Sequence, residues 1–231
     1  MIIGHIGARG GSRGVKGKNM QEICGRPLID WSLDQLFESD CIDHVVVSTD
    51  SPDIYTHARA RGTLPIGLRP ARLATDSAAK WDVWRHALEA AEALAGTATA
   101  FVDLDCTSPL RTAEDIASAI ALFVSEAPDM VMSCCRARKN PYFNLVEPDE
   151  TGALRISKPL PTPVVSRQQA PRVYEHAAST YVVSPDYLRR SSGLFEGRVI
   201  PYVMPVERCM DIDDETDFRL VQFLLRERLD A

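Results

Sequence analysis

The sequence predicts a three-layer α/β fold on a mainly parallel sheet, with one small arm inserted late in the chain. Short apolar runs rich in β-branched residues alternate with stretches whose apolar residues recur at i, i+3, i+4 and i+7, the rhythm of strands joined by crossover helices. The 231 residues, 45% hydrophobic and 25% charged, are enough for one large core, so residues 1–231 read as a single domain. The rhythm breaks only from Arg136 to about Pro171, where prolines fall at 159, 161 and 163 and no long amphipathic helix can be drawn.

Each element has a local reason. Ile2 to Ile6 is a short apolar strand, and Pro27 opens a helix with Ile29, Leu33, Leu36 and Phe37 on one face. HVVVSTD is a buried strand, Ser51-Pro52 starts a second helix, and Trp84, Ala87, Leu88 and Ala91 line a third. TAFVDLD is the next strand. Thr112 with Asp115 three residues on predicts a capping box, with Ile116, Ile120 and Phe123 turned inward. MVMSCC, STYVVS and VIPYVMPV are further strands, and a closing helix after Asp213 carries Phe218, Val221, Leu224 and Leu225. A ligand is expected at the carboxyl ends of the strands.

Composition narrows the function. A net charge of −6 argues against broad binding to a nucleic-acid backbone. No apolar run approaches the roughly 18 residues of a membrane span, and the N-terminus lacks signal-peptide order, so a cytoplasmic protein is expected. The six cysteines have no CxxC spacing, which points to buried free thiols and not to zinc.

Against this acidic background ARGGSRGVKGKN (8–19) holds four glycines and four basic residues directly after the first strand. Glycines let backbone amides approach an anion closely, and a nest of amides at a strand's carboxyl end suits phosphate. The loop is not a Walker A motif, because Gly17-Lys18 is followed by Asn19 and lacks the glycine five residues ahead; nor do the glycines make a GxGxxG.

Together with GRPLI at 25–29, this loop resembles the signature of the cytidylyltransferases that make CMP-activated nonulosonic (sialic-type) acids, whose usual form reads ARGGSKGIPGKN. VVVSTD (45–50), LRPARLATD (68–76), TSPLR (107–111), SRQQAP with a following tyrosine (166–174) and DIDDETDF (211–218) occur in the same order. The resemblance implies a nucleotidyltransferase fold like that of glycosyltransferase A enzymes, Mg²⁺ dependence, and a homodimer in which the arm is a dimerisation element. It implies CTP and a nine-carbon 2-keto sugar acid as substrates.

On that resemblance Ala8, Arg9, Gly11, Ser12, Lys18 and Asn19 hold the nucleotide. Arg9 and Lys18 fall on the triphosphate, where fixed cations stabilise the departing pyrophosphate. Arg13 stands where lysine is usual, as a ligand or as a solvated charge. Arg69 is implied near cytosine, whose O2 and N3 suit planar donors, against the plainer reading of a surface ion pair. Ser48-Thr49-Asp50 is read first as a cap for the next helix and second as pocket lining.

Asp211 and Asp213 flank Ile212 with a period of two, so in extended chain both carboxylates face one side while the isoleucine enters the core. Two hard oxygens suit Mg²⁺. By itself the motif is weak, because Asp213 and Asp214 also suit an N-cap; the resemblance implies the metal role. LDCTSPLR departs from the familiar LQPTSPLR. Asp105 in place of glutamine could join the metal sphere, accept a sugar hydroxyl, or help deprotonate the nucleophile, and Cys106 reads as small packing.

Arg167 and Gln168 are implied to reach the partner's sugar pocket, Arg167 holding the acceptor carboxylate as a bidentate pair. Tyr174 and Tyr181 either wall that pocket or belong to core and interface. Ala177-Ala178 replaces a familiar Asn-Gly or Asn-Ala, and Lys80 stands where serine or threonine is common. These departures point to an altered acceptor of legionaminic type. Transfer to a sugar 1-phosphate, a catalytically silent nucleotide-binding regulatory subunit, and a metal-dependent glycosyltransferase are the alternatives.

Overall fold

The computed structural model describes residues 1–11 and 17–230. In chain order the elements are β1 (Ile2–Gly7), the short strands β2 (Glu22–Ile23) and β3 (Arg26–Pro27), α1 (Leu28–Phe37), β4 (His44–Ser48), α2 (Pro52–Ala60), α3 (Lys80–Ala95), β5 (Ala100–Leu104), α4 (Ala113–Glu126), β6 (Met130–Arg136), β7 (Val146–Pro148), β8 (Leu154–Ile156), β9 (Tyr174–Val183), α5 (Pro185–Arg190), β10 (Val199–Val203) and α6 (Glu215–Leu229).

Six strands form one sheet in the order β10-β6-β9-β5-β1-β4. β1 pairs in parallel with β4 and β5, and β10 with β6, as expected of strands joined by crossover helices. β9 is the exception, antiparallel to both β5 and β6. The chain leaves the sheet at the end of β6, makes the arm, and returns beside the strand it left. That return also starts β9 earlier than the apolar STYVVS run suggests, because Tyr174, Glu175 and His176 pair with Arg136, Cys135 and Cys134.

Helices cover both faces. On one, Ile29, Leu33 and Leu36 of α1, Ile54 and Ala58 of α2, and Ile116 and Ile120 of α4 pack on Ile6, Val45, Val47 and Val102. On the other, Trp84, Leu88 and Ala91 of α3 and Tyr187 and Leu188 of α5 pack on Ile3, Val46, Phe101 and Val183. Phe37 departs from its expected core position: it is 43% exposed at the last position of α1, one residue past Leu36. Phe218, Val221 and Leu225 of α6 close a third cluster with Ile23, Leu28, Leu110 and Ile212.

The predicted capping box of α4 is present, Thr112 accepting from the Asp115 amide and Asp115 from the Thr112 amide. At α2 the cap is Ser51, which accepts from the Ile54 amide. This corrects the expectation that Ser48-Thr49-Asp50 caps it: those residues precede the cap and are tied elsewhere. At α6 Asp214 is the cap, paired with Asp217 in a second capping box, and Asp213 lies one residue outside.

Within the arm, β7 and β8 make a small antiparallel ribbon with no partner in the main sheet. The six cysteines are free, but only Cys106, Cys134 and Cys135 are buried. Cys41 is exposed in the turn after α1, against the expectation for the set. Among the described residues no helix is long and apolar enough to cross a membrane.

Candidate active site

A cavity of about 270 Å³ opens where β1 and β5 end and gathers Arg9, Arg69, Lys80, Asp103 and Asp105 at one place. Its wall begins with the glycine loop. Ala8 is buried and donates its amide to the Ser48 carbonyl at 3.0 Å, continuing the β1–β4 pairing past the strand end. The Gly10 amide donates to Asp50 Oδ1 at 2.8 Å, and a Cβ at Gly10 would stand 3.1 Å from that of Ser51, so the chain at Gly10 lies close against the end of β4. Asp50 therefore anchors the loop and caps nothing. Asn19 Nδ2 donates to the Arg9 carbonyl at 3.1 Å, tying the two ends of the loop, and Gly17 takes the left-handed conformation that starts the turn at Lys18. Gly11 is exposed. Ser12 and Arg13 lie outside the described residues.

The cations are held differently. Arg9 projects into the cavity and pairs with Asp76 at 2.5 Å, both side chains partly exposed. Arg69 is buried, and its guanidinium donates to Ser48 Oγ at 2.9 Å and to the Ser48 carbonyl at 2.5 Å. Burial lowers its pKa against the pull of Asp50 and Asp103. The surface-pair reading of Arg69 thus gives way to a buried guanidinium in the cavity wall, and Ser48 is its bracket. Lys18 leaves the loop altogether, its ammonium donating to the Ile212 carbonyl in the aspartate motif.

That contact brings the first and last motifs of the chain together. Ile212 is fully buried and its amide donates to the Thr107 carbonyl at 2.9 Å, which pins the segment to the loop after β5. Asp211 is half-buried and Asp213 exposed, so the period-two reading of their placement around a core isoleucine holds. Burial pushes the Asp211 carboxyl up, and the neighbouring Asp213 charge pushes it further. Two hard carboxylates, one of them costly to keep ionised beside the other, flank a buried anchor and fit a divalent cation completed by phosphate oxygens and water. Among the described residues no group of three His, Cys, Asp or Glu side chains is gathered for a metal.

The floor of the cavity was only partly visible in the sequence. Asp103 and Asp105 are two apart at the end of β5 and share one face. His5, opposite Asp103 in the β1–β5 register, donates from Nδ1 to Asp103 Oδ1 at 2.6 Å, with both residues buried. Lys80, first residue of α3, lies 3.0 Å from Asp103 Oδ2 and 2.5 Å from Asp105 Oδ2, over the rings of Tyr181 (4.3 Å) and Trp84 (5.2 Å). Burial opposes the charge on Asp103, yet Lys80 and His5 hold its carboxyl down to about 2. Asp105 is shifted the other way, up, by burial and then by Asp103, with Lys80 opposing. A charged residue inside an otherwise apolar strand was the signal for this network, since a buried carboxylate needs a partner. Nothing in the sequence pointed to Lys80 or His5 as that partner.

His5 gives the floor a pH signature. Burial lowers its pKa and outweighs Asp103, so the unfolded chain takes up a proton that the native chain refuses. Stability contributed by neutral His5 is present above about pH 6.5 and is lost on acidification below it. His86 and His176 shift in the same direction, also by burial. The melting temperature is expected to fall between pH 7.5 and pH 5.5, and to fall less in His5→Gln; equal falls, read by calorimetry, would remove His5 as a contributor.

Arg167 and Gln168 line a second cavity of about 250 Å³, beside Arg136, Asn140 and Arg172. It has no lining residue in common with the first. Arg136 and Arg172 were not singled out in the sequence, and they make this a three-arginine pocket. Tyr174 is partly exposed at the start of β9 and lines a third, apolar cavity with Met132, His176 and Phe195. Tyr181, by contrast, is core: buried, hydrogen-bonded to His176 at 2.7 Å, and placed beneath Lys80. Within the chain, then, Arg9, Arg69 and Asp105 share a cavity; Lys18, Asp211 and Asp213 do not line it but meet one another through the Ile212 carbonyl; and Arg167, Gln168 and Tyr174 stand elsewhere. Cys106 is buried and its thiol is pushed up to about 12 by burial, as expected of packing and not of a nucleophile.

A twisted α/β sheet with a cationic loop and a cavity at its carboxyl edge is the architecture of nucleotide-handling enzymes. Residues 3–189 match the family model described as cytidylyltransferase. The chain belongs to this family of nucleotidyltransferases. It is 37% identical over 225 residues to a CMP-N,N'-diacetyllegionaminic acid synthase of Campylobacter jejuni, covering 97% of this chain and 94% of that one. It is 35% identical over 228 residues to post-translational flagellin modification protein B of Campylobacter coli, covering 98% and 96%. Among solved structures, a CMP:2-keto-3-deoxy-manno-octonic acid synthetase complexed with CTP superposes with a TM-score of 0.68 at 17% identity, over 98% of this chain and 99% of that one, a likeness of fold.

Proposed function

We propose that the protein transfers CMP from CTP to the anomeric hydroxyl of a nonulosonic acid of legionaminic or sialic type, releasing pyrophosphate. The observation that carries this is the joining of three motifs far apart in sequence: Arg9 and Arg69 share a cavity with Asp105, and Lys18 reaches from the glycine loop to the Asp211–Asp213 segment. The names of the relatives supply the acceptor class. Arg9, Lys18, Ser12, Asn19 and the amide of Gly11 take the nucleotide phosphates and ribose, Ala8 lies in the wall with its amide already given to Ser48, and Arg69 takes the base. Asp211 and Asp213 hold Mg²⁺, which when bound neutralises charge developing on the transferred phosphate. The sugar hydroxyl attacks the α-phosphorus, and pyrophosphate departs along Arg9 and Lys18.

Residues 1–231 form one cytidylyltransferase domain, and the arm at 136–171 serves a homodimer. Its exposed apolar side chains, Val165 at 78% and Leu154 at 67%, favour a covered surface over a solvated one. Arg167 and Gln168, with Arg136 and Arg172, meet the acceptor's carboxylate from the partner side, and Tyr174 stands beside them. The reaction belongs in the cytoplasm, the compartment that supplies CTP.

Pyrophosphate release from CTP, UTP, GTP and ATP, with and without a 2-keto sugar acid, tests the reading. Release that needs CTP and the sugar acid together is expected; release with a sugar 1-phosphate, or CTP binding with no release, would overturn it. Roles within the nucleotide site separate by ligand. Arg9→Ala and Lys18→Ala should weaken CTP more than CMP, about tenfold or more for a lost charged contact, whereas Arg69→Ala should weaken both together. Calorimetric titration reads the difference, and equal losses in Arg9→Ala would move that residue to the base or ribose.

A further inference from the structure

Lys80 and Asp105 both depart from the familiar pattern, and the structure joins them. The Lys80 ammonium lies 2.5 Å from Asp105 Oδ2 and 3.0 Å from Asp103 Oδ2, while His5 occupies Asp103 Oδ1. Asp103 Oδ1 is thus hydrogen-bonded, and Oδ2 is buried and ion-paired without a hydrogen bond. Asp105 is locked in main chain as well: its amide donates to the Ser179 carbonyl at 3.1 Å and its carbonyl accepts from Arg111 at 2.9 Å. Its Oδ1 accepts no hydrogen bond from a described residue, and, unlike the buried Asp103 Oδ2, it belongs to a partly exposed side chain lining the cavity that holds Arg9 and Arg69. A carboxylate offers only acceptors, so an oxygen fixed in this way calls for a donor from whatever enters.

Charge explains why the lysine must accompany the aspartate. With neutral His5, one ammonium against two carboxylates leaves a single negative charge on the floor of a site that admits a polyanion. Without Lys80 there would be two, offset only by the weaker pull of Arg69 and Arg111. We propose that Lys80 and Asp105 form one acceptor-recognition unit, in which the ammonium fixes Asp105 Oδ2 and leaves Oδ1 to accept a hydrogen bond from a hydroxyl or amide N–H of the incoming sugar acid. Asp105 touches the substrate, and Lys80 is its positioning residue. The unit rests on the transfer reading above.

Three variants separate contact from charge. Asp105→Asn removes one carboxylate, Lys80→Met removes the cation, and the double variant returns the floor to a single negative charge. The probes are CTP, titrated alone, and N,N'-diacetyllegionaminic acid as acceptor in pyrophosphate release. Asp105→Asn should raise the acceptor KM about tenfold or more without weakening CTP, the size of a lost hydrogen bond to a charged group. Lys80→Met should weaken CTP by about tenfold, since a second unpaired carboxylate then faces the triphosphate. In the double variant CTP affinity should return to within about threefold of wild type, while the acceptor KM stays raised as it does in Asp105→Asn. An unchanged acceptor KM in Asp105→Asn, or a wild-type KM in the double variant, would overturn the unit. Should Lys80→Met not fold, those two measurements still decide the matter. A wild-type chain that turns over no 2-keto sugar acid would overturn the transfer reading and the acceptor contact with it, whereas the order of CTP affinities reports on the charge device alone.

Discussion

Asp213→Asn is expected to fold as the wild type does and to lose at least about a hundredfold in turnover, the scale of one major electrostatic contribution to a transition state. The fold is spared because the Asp213 side chain makes no hydrogen bond to another described residue. What joins position 213 to α6 is its amide, which donates to Asp217 at 3.0 Å and survives the change. Asp211→Asn should lose turnover in the same direction, and the larger of the two losses marks the more direct ligand. The substitutions should not lower the melting temperature. The Asp211 carboxyl is raised by burial and by Asp213, so at neutral pH its charge works against the fold, and removing either charge relieves that. Magnesium titrations of pyrophosphate release with a thermal melt test both halves. Near-normal magnesium-dependent turnover in Asp213→Asn would falsify the metal assignment.

The second large effect is a loss that a mixture restores. If Arg167 of one subunit holds the acceptor carboxylate in the site of the other, Arg167→Ala should keep CTP binding and lose turnover. Asp213→Asn is inactive for a different reason, in its own site. A mixed dimer then carries one site with both defects and one with neither. Random pairing makes half of the dimers mixed, which returns roughly a quarter of wild-type sites. The separation of the two cavities is what makes this test sharp: Arg167 shares no cavity with Arg9, Arg69 or Asp105, and the substitution leaves the nucleotide side untouched. Verified mixed dimers without activity would put Arg167 in its own subunit's site or in none.

What the sequence made legible was whatever depends on local rules. The capping box at Thr112 and Asp115, the helical face of Trp84, Leu88 and Ala91, and the placement of Asp211 and Asp213 around Ile212 all follow from spacings of two to four residues. The order of motifs likewise sufficed for the family. What stayed hidden depends on pairings across the chain. β9 is reversed because the arm returns it beside β6, a matter of topology that its apolar residues do not encode. His5 meets Asp103 only through the β1–β5 register, and Lys80 meets Asp105 only once α3 is laid on the sheet. Asp50 had the look of a helix cap, yet the cap was one residue further on and the carboxylate was used by the glycine loop. The buried place of Arg69 was similarly invisible, because an arginine after a proline-flanked loop carries no sign of depth.

The contact from Lys18 to the Ile212 carbonyl spans almost the entire chain, and it has a consequence for how the protein is made. A nascent chain emerging from the ribosome can pair β1, β4 and β5 and bury much of both faces of the sheet well before its end is synthesised. It cannot yet seat the Asp211–Asp213 segment proposed to hold the metal. Ile212 seats against Phe218, Val221 and Leu225, so the aspartate segment gains its anchor only when the last helix docks. Assembly of the proposed site therefore waits on α6, and a chain cut short before it would lack the apolar seat of the Asp211–Asp213 segment.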